Sequence, residues 1–436
     1  MKTLMLAAPA SGSGKTTLTM GLIRALKNSG YDVSCLKTGP DYIDTAFLKM
    51  ASGNEAGNLD LHLQGREGVK QAFSLASGDC CLVESAMGYF DGLSNTFEAS
   101  SYDISNILGI NTVLIYTPKG EMFTAIPKIK GMADFEASKI RAVILNRVNE
   151  DYYRLLREQI EAYTGLVVLG YLPPLEKAEL KSRHLGLVQS MEIENLDDRI
   201  NYIAGFAGKT INLGELLNLM SEVTGSPFPC LPHTGLKVAV ARDQAFSFYY
   251  RENLKLFEDS CYVQYFSPLH DRELPACDLL YLGGGYPEVF REELALNKGM
   301  CEQVKAFADQ GGCIYAECGG MLYLNQDIDG CRMCGVFPGE STLTGKLQRF
   351  GYINITLLED CLLGKRDDKI TAHEFHKSTC PSTGKEVFKI SKAKGSKTWF
   401  CGYQYKNTLA AYPHINFLGN LKAFKALLEY VQANKL

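Results

Sequence analysis

Short apolar runs alternate with helix-like segments along the first half of the chain. This alternation predicts a parallel β-sheet covered by helices. The runs are Leu4–Ala8, Val33–Lys37, Cys81–Glu84, Thr112–Tyr116, Ala142–Asn146 and Val167–Tyr171. The same pattern returns further along the chain and predicts a second α/β domain. Its runs are Lys237–Ala241, Tyr262–Phe266, Leu279–Leu282 and Cys313–Ala316.

A proline-rich stretch separates the two halves. Residues 225–236 read Gly-Ser-Pro-Phe-Pro-Cys-Leu-Pro-His-Thr-Gly-Leu and show no hydrophobic periodicity, which is typical of a linker. We therefore predict one domain over residues 1–225 and another over residues 236–436. The 436 residues suffice for two hydrophobic cores of ordinary size.

Composition and charge exclude several classes of protein. Hydrophobic residues make up 46% and charged residues 22%, as in ordinary globular proteins. The net charge is −4 and no basic stripe is present, so we expect no nucleic-acid partner. No apolar run is long enough to span a membrane. The apolar N-terminus runs directly into a glycine- and serine-rich loop and is predicted to be a buried strand. The 14 scattered cysteines favour a reducing, cytoplasmic location.

A phosphate-binding loop follows the first apolar run. Residues 9–17 read Pro-Ala-Ser-Gly-Ser-Gly-Lys-Thr-Thr, and a helix-like segment, Leu18 to Lys27, comes next. Successive backbone N–H groups of such a loop surround phosphate oxygens, Lys15 neutralises the β- and γ-phosphates, and the Thr16 hydroxyl binds Mg²⁺. Pro9 departs from the strict motif, and a turn that merely caps a helix is the alternative. The predicted nucleotide-binding residues are Ser11, Gly12, Ser13, Gly14, Lys15, Thr16 and Thr17.

Acidic residues follow two of the apolar runs, where a phosphate loop needs partners for its metal. Glu84 ends one run, as a Walker B-type metal or water ligand does. Asp41 and Asp44 follow another run, and the alternative for either is capping a helix. Two acids beside an anionic nucleotide repel each other unless Mg²⁺ lies between them. The predicted metal ligands are Thr16, Asp41 and Glu84.

A second chemical motif surrounds Cys318. Residues 311–324 read Gly-Gly-Cys-Ile-Tyr-Ala-Glu-Cys-Gly-Gly-Met-Leu-Tyr-Leu, a strand-like run that delivers one thiol onto a glycine turn before a helix-like segment. This is the pattern of a nucleophile elbow, in which we expect the helix N-terminus to lower the pKa of the thiol. The alternative is a buried structural cysteine.

Two further features support a reactive Cys318. The glycine loop at 282–288 can offer backbone N–H groups, Gly284 and Gly285 among them, to an oxyanion. His414 is the candidate base, although Asn416 stands where an acidic residue usually orients the imidazole.

Other histidines and cysteines carry weaker signals. His373 and His376 lack the spacing of a zinc helix, so they are predicted to line the groove near the thiol or to make structural hydrogen bonds. Cys331 and Cys334 have no second cysteine pair at a metal-site spacing. Cys80 and Cys81 are predicted to be small buried residues.

Taken together, these motifs make the chain similar to the cobyrinate a,c-diamide synthase family, the glutamine-dependent amidotransferases of corrinoid biosynthesis. The resemblance extends over nearly the whole chain and preserves the order of the motifs. Besides the phosphate loop, the runs that carry it begin at Thr38, Asn58, Glu84, Asn146, Gly170, Arg183, Val238, Tyr281, Ala316, Phe350 and His373.

The resemblance implies an α/β protein of two domains: a P-loop parallel-sheet ATPase domain followed by a class I glutamine amidotransferase-like domain. It implies that Cys318 is the glutaminase nucleophile, that His414 raises its nucleophilicity, and that Tyr42 lies near the tetrapyrrole side chain. The acidic positions linked to metal binding and carboxylate activation are Asp41, Asp44, Glu84 and Asp91. From its sequence alone, Asp91 reads equally as an ordinary turn residue.

The function implied is ATP- and Mg²⁺-dependent amidation of the a and c acetates of cobyrinate through acyl phosphates, with ammonia from L-glutamine. Residues 116–119, Tyr-Thr-Pro-Lys, lack an acid that the family often has there. That departure keeps hydrogenobyrinate or a nickel-sirohydrochlorin open as substrates. A regulatory P-loop ATPase with an inactive amidotransferase domain is the remaining alternative. The resemblance also allows a homodimer.

Overall fold

The computed structural model describes residues 1–176, 195–380 and 384–436. The motif that begins at Arg183 lies outside these ranges. The chain divides into two compact units. The first comprises Met1–Leu61 and Gly65–Phe228, and the second comprises His62–Gln64 and Pro229–Leu436.

The first unit is built on a parallel sheet. Its strands are β1 (Lys2–Ala7), β2 (Val33–Thr38), β3 (Gly57–Leu59), β4 (Cys80–Glu84), β5 (Thr112–Tyr116), β6 (Ile140–Asn146), β7 (Val167–Leu172) and β8 (Ser221–Glu222). Among the described residues, the first seven are ordered β3-β2-β4-β1-β5-β6-β7, and β8 pairs antiparallel with β1. All six predicted runs are strands, because each is an apolar segment buried on both faces.

Helices connect these strands. They are α1 (Lys15–Asn28), α2 (Tyr42–Ser52), α3 (Leu61–Phe73), α4 (Ser101–Leu108), α5 (Ala125–Asp134), α6 (Glu150–Thr164), α7 (Leu196–Thr210) and α8 (Leu213–Asn218). The apolar side of α1 packs with α7 over the sheet, and Leu22, Ile200 and Ile203 are almost fully buried there. Parallel strands present their carboxyl ends at one edge of the sheet, so the loops after β1, β2 and β4 share that edge.

The second unit contains a larger mixed sheet. The strands of the second unit are β9 (Lys237–Ala241), β10 (Phe246–Phe248), β11 (Tyr262–Phe266), β12 (Leu279–Leu282), β13 (Gly284–Gly285), β14 (Cys313–Glu317), β15 (Asp327–Ile328), β16 (Cys331–Arg332), β17 (Glu340–Leu343), β18 (Arg349–Leu357), β19 (Lys369–His376), β20 (Ser378–Thr379), β21 (Glu386–Lys392), β22 (Thr398–Tyr405), β23 (Thr408–Ala411) and β24 (His414–Ile415). Ten of them form the mixed sheet, β10 pairs with β13, and β15, β16, β17 and β20 form a small sheet of their own. Within the described part of the chain the main order is β11-β9-β12-β14-β23-β22-β21-β18-β19-β24. The first five strands of this order are parallel, and the others pair antiparallel.

Five helices complete the described part of the second unit. They are α9 (Arg251–Ser260), α10 (Arg291–Leu296), α11 (Lys298–Asp309), α12 (Gly319–Leu324) and α13 (Leu421–Asn434). The predicted fold class is confirmed. The antiparallel extension from β18 to β22 was not predicted, because its strands alternate buried and exposed positions and carry several lysines, which hides them from a search for continuous apolar runs.

Across the described ranges, the helices are all too short or too polar to traverse a lipid bilayer.

Candidate active sites

The phosphate loop of the first unit connects β1 to α1. Gly12 and Gly14 have φ of 75° and 79°, a left-handed conformation that glycine adopts without steric cost. Asn146, at the end of β6, donates from Nδ2 to the Ser13 carbonyl at 2.8 Å. A Cβ on Gly14 would lie 2.5 Å from that same Nδ2, so only glycine fits there. The loop is therefore held by a side chain at the end of β6, two strands away from β1 in the sheet.

Lys15 bridges the loop to the segment after β4. Its Nζ donates to the Met87 carbonyl at 2.6 Å and to the Ala10 carbonyl at 3.3 Å. Burial, together with the nearby charge of Lys37, lowers the pKa of Lys15 to about 8. Within the described residues both hydrogen-bond acceptors of this ammonium are carbonyl oxygens. Such an ammonium gains stability from an anion, so the side chain suits a phosphate ligand.

Thr16 and Glu84 lie in direct contact. The Thr16 hydroxyl donates to Glu84 Oε1 at 2.7 Å, and Glu84 is fully buried. Glu84 Oε2 is also buried and has no hydrogen-bond partner within the described residues. Burial raises the pKa of Glu84, and Lys37 works against that rise.

Lys37 at the end of β2 is a site residue that the sequence analysis missed. Its Nζ lies 2.6 Å from Asp44 Oδ2 and 2.7 Å from Glu84 Oε1. Burial disfavours its charge, but Asp44 and Glu84 outweigh burial and raise its pKa. The positive charge between Asp44 and Glu84 is thus supplied by the side chain of Lys37. One signal was available: a lysine that ends an otherwise apolar buried strand requires an acidic partner.

Asp41 and Asp44 open α2. Asp41 caps the helix, since its Oδ1 accepts the N–H groups of Ile43 and Asp44, each at 2.9 Å. Burial and the charge of Asp44 raise the pKa of Asp41 to about 7. Burial opposes ionisation of Asp44 as well, yet Lys37 holds its pKa below the ordinary value.

The remaining predicted residues of this unit lie on the same edge of the sheet. Asp91 accepts the Gly88 N–H on Oδ2 at 2.8 Å, which closes a turn after β4. Tyr42 is the first residue of α2 and is partly buried. In the described ranges, no group of three or more His, Cys, Asp or Glu side chains is arranged to hold a metal unaided. A metal at Thr16 and Glu84 would need further oxygens from nucleotide or water, as is usual for Mg²⁺.

In the second unit, Cys318 joins β14 to α12 with φ of 46° and ψ of −102°. A non-glycine residue in this region is strained by about 1–3 kcal/mol, and such strain is typical of functional turns. The Cys318 N–H donates to the Ala411 carbonyl at 2.7 Å, and the Gly320 N–H donates to the Gly283 carbonyl at 2.9 Å. The predicted elbow is present, with the glycine loop packed against it.

His414 lies against that glycine loop. A Cβ placed on Gly284 would be 2.3 Å from Cε1 of the imidazole. His414 starts β24, only three positions after Ala411, the residue whose carbonyl holds the Cys318 N–H. The structure therefore brings the thiol, the glycine loop and His414 together, although they are far apart in sequence.

The thiol and the imidazole are both buried as neutral groups. Burial and the nearby Glu288 carboxyl raise the pKa of Cys318, whereas the sequence predicted a lowered one. The prediction considered only the turn and the helix, whereas 7% exposure removes the water that would stabilise a thiolate. Burial, with His376 nearby, lowers the pKa of His414 to about 3, so its imidazole is a free base at neutral pH.

The histidines of β19 surround this region. His373 pairs across the sheet with His414, and its buried Nδ1 has no hydrogen-bond partner among the described residues. His376 stacks on Tyr412, with ring centroids 3.7 Å apart, and its Nδ1 contacts the Ser378 carbonyl at 2.9 Å. His376 thus makes structural contacts, and His373 lies beside the candidate base.

Cys80 and Cys81 are buried in β4, as predicted. Cys334 is buried and hydrogen-bonds with Cys301 on α11, whose thiol also contacts the Tyr323 hydroxyl at 3.5 Å. Cys331 is half-buried on β16.

Two family models match the chain. The CobQ/CobB/MinD/ParA nucleotide binding domain matches residues 4–188, and the CobB/CobQ-like glutamine amidotransferase domain matches residues 237–421. The first match contains the phosphate loop and Glu84, and the second contains Cys318 and His414.

Curated relatives match over the full length. A cobyrinate a,c-diamide synthase of Clostridium tetani is 43% identical over 439 residues, which covers 98% of this chain and 100% of that protein. The enzyme of the same name from Clostridium acetobutylicum is 43% identical over 436 residues, with the same coverage. That of Streptococcus sanguinis is 38% identical over 449 residues and covers 99% of each chain.

Proposed function

Because this chain belongs to the cobyrinate a,c-diamide synthase family, a family of glutamine-hydrolysing ligases, we propose that it amidates the a and c acetate carboxylates of cobyrinate. Each amidation consumes ATP and takes its nitrogen from glutamine. The observation that carries the proposal is the presence in one chain of a strained Cys318 elbow beside His414 and of a phosphate loop that ends in Lys15. A reaction that needs both ammonia and an activated carboxylate uses both.

The first unit activates the carboxylate. A carboxylate is a poor acyl electrophile, and transfer of the γ-phosphoryl group of ATP converts it to an acyl phosphate with a good leaving group. Backbone N–H groups of residues 11–17 and the Lys15 ammonium would hold the phosphates. Asp41, Asp44 and Asp91 are the acids we assign to placement of the substrate carboxylate, with Tyr42 near the macrocycle.

Magnesium fits the residues at Thr16 and Glu84. The hydroxyl and the carboxylate are 2.7 Å apart, both are oxygen ligands, and Glu84 Oε2 has no partner within the described residues. When bound there, Mg²⁺ would neutralise charge on the β- and γ-phosphates. Lys37 forms ion pairs with both Glu84 and Asp44 and so holds the two carboxylates close together. Asp41, the third predicted ligand, engages its Oδ1 in capping α2.

The second unit releases ammonia. His414 accepts the thiol proton as Cys318 Sγ attacks the glutamine amide carbon, and the carbonyl oxygen becomes an oxyanion near the Gly284 and Gly285 backbone. His414 returns the proton to the departing nitrogen, which leaves as ammonia. Water then hydrolyses the glutamyl thioester to glutamate and restores the thiol.

Product analysis tests this function. The full chain is incubated with ATP, Mg²⁺ and glutamine together with cobyrinate, hydrogenobyrinate or nickel-sirohydrochlorin, and products are examined by mass spectrometry. We expect two successive acid-to-amide conversions of cobyrinate, with weaker conversion of the other macrocycles. Glutamine hydrolysis without amidation of any macrocycle would refute the proposal that the substrate is one of these tetrapyrroles. Preferred conversion of another macrocycle would make that macrocycle the substrate in place of cobyrinate.

A Cys318→Ser variant gives the matched control. It should lose glutamine-supported amidation and keep ammonia-supported amidation, because the thiol only supplies nitrogen. Loss of both activities would contradict the division of labour between the two units.

A further inference from the structure

A buried carboxyl group directly precedes the nucleophile. Glu317 is the last residue of β14 and is 2% exposed. The three groups that donate hydrogen bonds to it all belong to the second unit. Its Oε1 accepts the Tyr315 hydroxyl at 2.6 Å and the Ile415 backbone N–H at 3.0 Å. Its Oε2 accepts the Tyr281 hydroxyl at 3.0 Å. Both oxygens of this deeply buried carboxyl therefore accept hydrogen bonds, which offset the cost of its burial.

The bond to Ile415 matters because Ile415 follows His414 in the two-residue strand β24. So short a strand has little cooperative stability of its own. Its pairing with β19 covers one side, through His373 opposite His414 and Ala372 opposite Ile415. Glu317 secures the backbone N–H of Ile415 by a side-chain contact.

Asn253 on α9 secures the same segment at its other end. It is fully buried, its Nδ2 donates to the Ile415 carbonyl at 2.7 Å, and its Oδ1 accepts the Phe417 N–H at 2.7 Å. Both peptide groups of Ile415 are therefore held by buried side chains. Asn416, which stands where an acidic orienter is usual, uses its Oδ1 on the Leu418 N–H instead.

We propose that Glu317 is a positioning residue for glutamine hydrolysis, which holds the main chain of the base His414 at a fixed place relative to the nucleophile Cys318. This inference rests on the proposed glutaminase function. Glu317 directly precedes Cys318 in the chain. Its side chain accepts a hydrogen bond from the backbone N–H of Ile415, the residue that follows His414. A shift of about 1 Å between base and nucleophile can cost about 100-fold in rate. The acidic orienter whose usual position Asn416 occupies is thus compensated by an acid placed before the nucleophile.

Three substitutions of Glu317 separate position from charge. Glu317→Gln keeps the length and the Oε1 acceptor, and its new amide can donate to the Tyr281 oxygen. Glu317→Asp keeps the charge and shortens the reach. Glu317→Ala removes both. We expect Gln to keep glutamine-supported kcat within about threefold of wild type, and Asp and Ala to lower it about 100-fold.

Two further readouts distinguish positioning from a general role in the fold. For Asp and Ala, KM for glutamine should stay within about threefold, since substrate contacts are kept. Ammonia-supported amidation should be unchanged in all three variants. Tyr315→Phe removes one donor to Glu317 but leaves the Ile415 bond, so its glutaminase rate should fall by less than about threefold.

Several results would overturn the proposal. Full glutaminase activity in Glu317→Ala would show that the contact is unnecessary. An active Asp variant beside an inactive Gln variant would show that charge, and not position, is what Glu317 supplies. A parallel loss of ammonia-supported activity would assign Glu317 to the fold in general. If Glu317→Ala fails to fold, the Gln and Asp pair still decides. Two other results would refute the proposed function itself. One is a wild-type chain that releases no glutamate, and the other is a Cys318→Ser variant that keeps full glutamine-supported amidation.

Discussion

The two candidate sites of this chain handle buried polar groups in opposite ways. In the first unit, Lys37 is buried as an ion between Asp44 and Glu84, and the Lys15 ammonium donates hydrogen bonds to carbonyl oxygens. In the second unit, Cys318 and His414 are buried as a neutral thiol and a neutral imidazole. The first site holds charged groups in the structure, and we propose that the second becomes charged only during glutamine hydrolysis.

The difference follows from the ligands each site is proposed to meet. A nucleotide brings several negative charges, so lysines and balanced acids prepare the first site for it in advance. Glutamine's side-chain amide is neutral, and a resting thiolate would be exposed to oxidation and alkylation. A thiol that stays protonated until glutamine binds, as we propose for Cys318, is protected from both reactions. Four substitutions test this contrast.

Lys15→Ala should have the largest effect, because without its ammonium the phosphates are poorly held whichever nitrogen source is used. We expect amidation to fall at least about 100-fold with glutamine and with ammonia alike. Product formation by mass spectrometry measures it. Lys27→Ala is the matched control, a lysine of the same helix that contacts the Ser52 carbonyl. Persistent product from Lys15→Ala would contradict the role of the loop.

His414→Asn should affect only one of the two reactions. Without a base to take the thiol proton, glutamine hydrolysis should fall about 100-fold or more, while ammonia-supported amidation is retained. Glutamate release measures the first and product mass the second. The control is His270→Asn, an exposed histidine of the same unit. Undiminished glutamate release would require another base for Cys318.

Lys37→Met tests whether the charges of the first site depend on each other. Removing the ammonium leaves Asp44 and Glu84 without their shared counter-ion, and we expect the free energy of unfolding to fall by about 3 kcal/mol. Urea unfolding measures it. Lys49→Met breaks an exposed pair with Glu55 and should cost less than about 1 kcal/mol. Equal losses in the two variants would show that burial adds nothing to the Lys37 pair.

Glu374→Gln tests, through the pH dependence of the free energy of unfolding, whether the second site buries its groups in the neutral form. Glu374 follows His373 on β19. Burial raises the pKa of this 1%-exposed carboxyl to about 7 from an ordinary value of 4.5. The protonated carboxyl therefore stabilises the fold fully below the ordinary value, and that contribution is lost as pH rises through about 7. Relative to wild type, the variant should gain about 1–2 kcal/mol between pH of about 5 and about 8. A gain that is the same at both pH values would refute it.

The sequence predicted what is local in each site. The phosphate loop and the Cys318 elbow are contiguous segments whose backbone conformations are specified by their own glycines and neighbours. His414 was predicted only as a candidate base, and the resemblance to a family then supported it, since no local pattern links it to a thiol almost a hundred residues away. The strand core was predictable for the same local reason, because buried parallel strands are continuous apolar runs.

What escaped prediction depends on contacts between distant segments. Lys37 is one polar residue at a strand end until Asp44 and Glu84 are seen beside it. Glu317 looks like any strand residue until its bond to Ile415 is seen. The raised pKa of Cys318 depends on the depth of its burial, which no single segment determines.

The antiparallel strands of the second unit form a closed circuit. Hydrogen-bonded pairings lead from β23 through β22, β21, β18 and β19 to β24, and the chain itself joins β23 back to β24 through residues 412 and 413. A residue inserted or deleted in any of these strands must be absorbed somewhere around the circuit, because its two ends meet beside Cys318 and His414. For protein engineering this means that the hairpins of residues 349–376 and 386–405 should not be shortened, and that grafted loops belong between their paired strands.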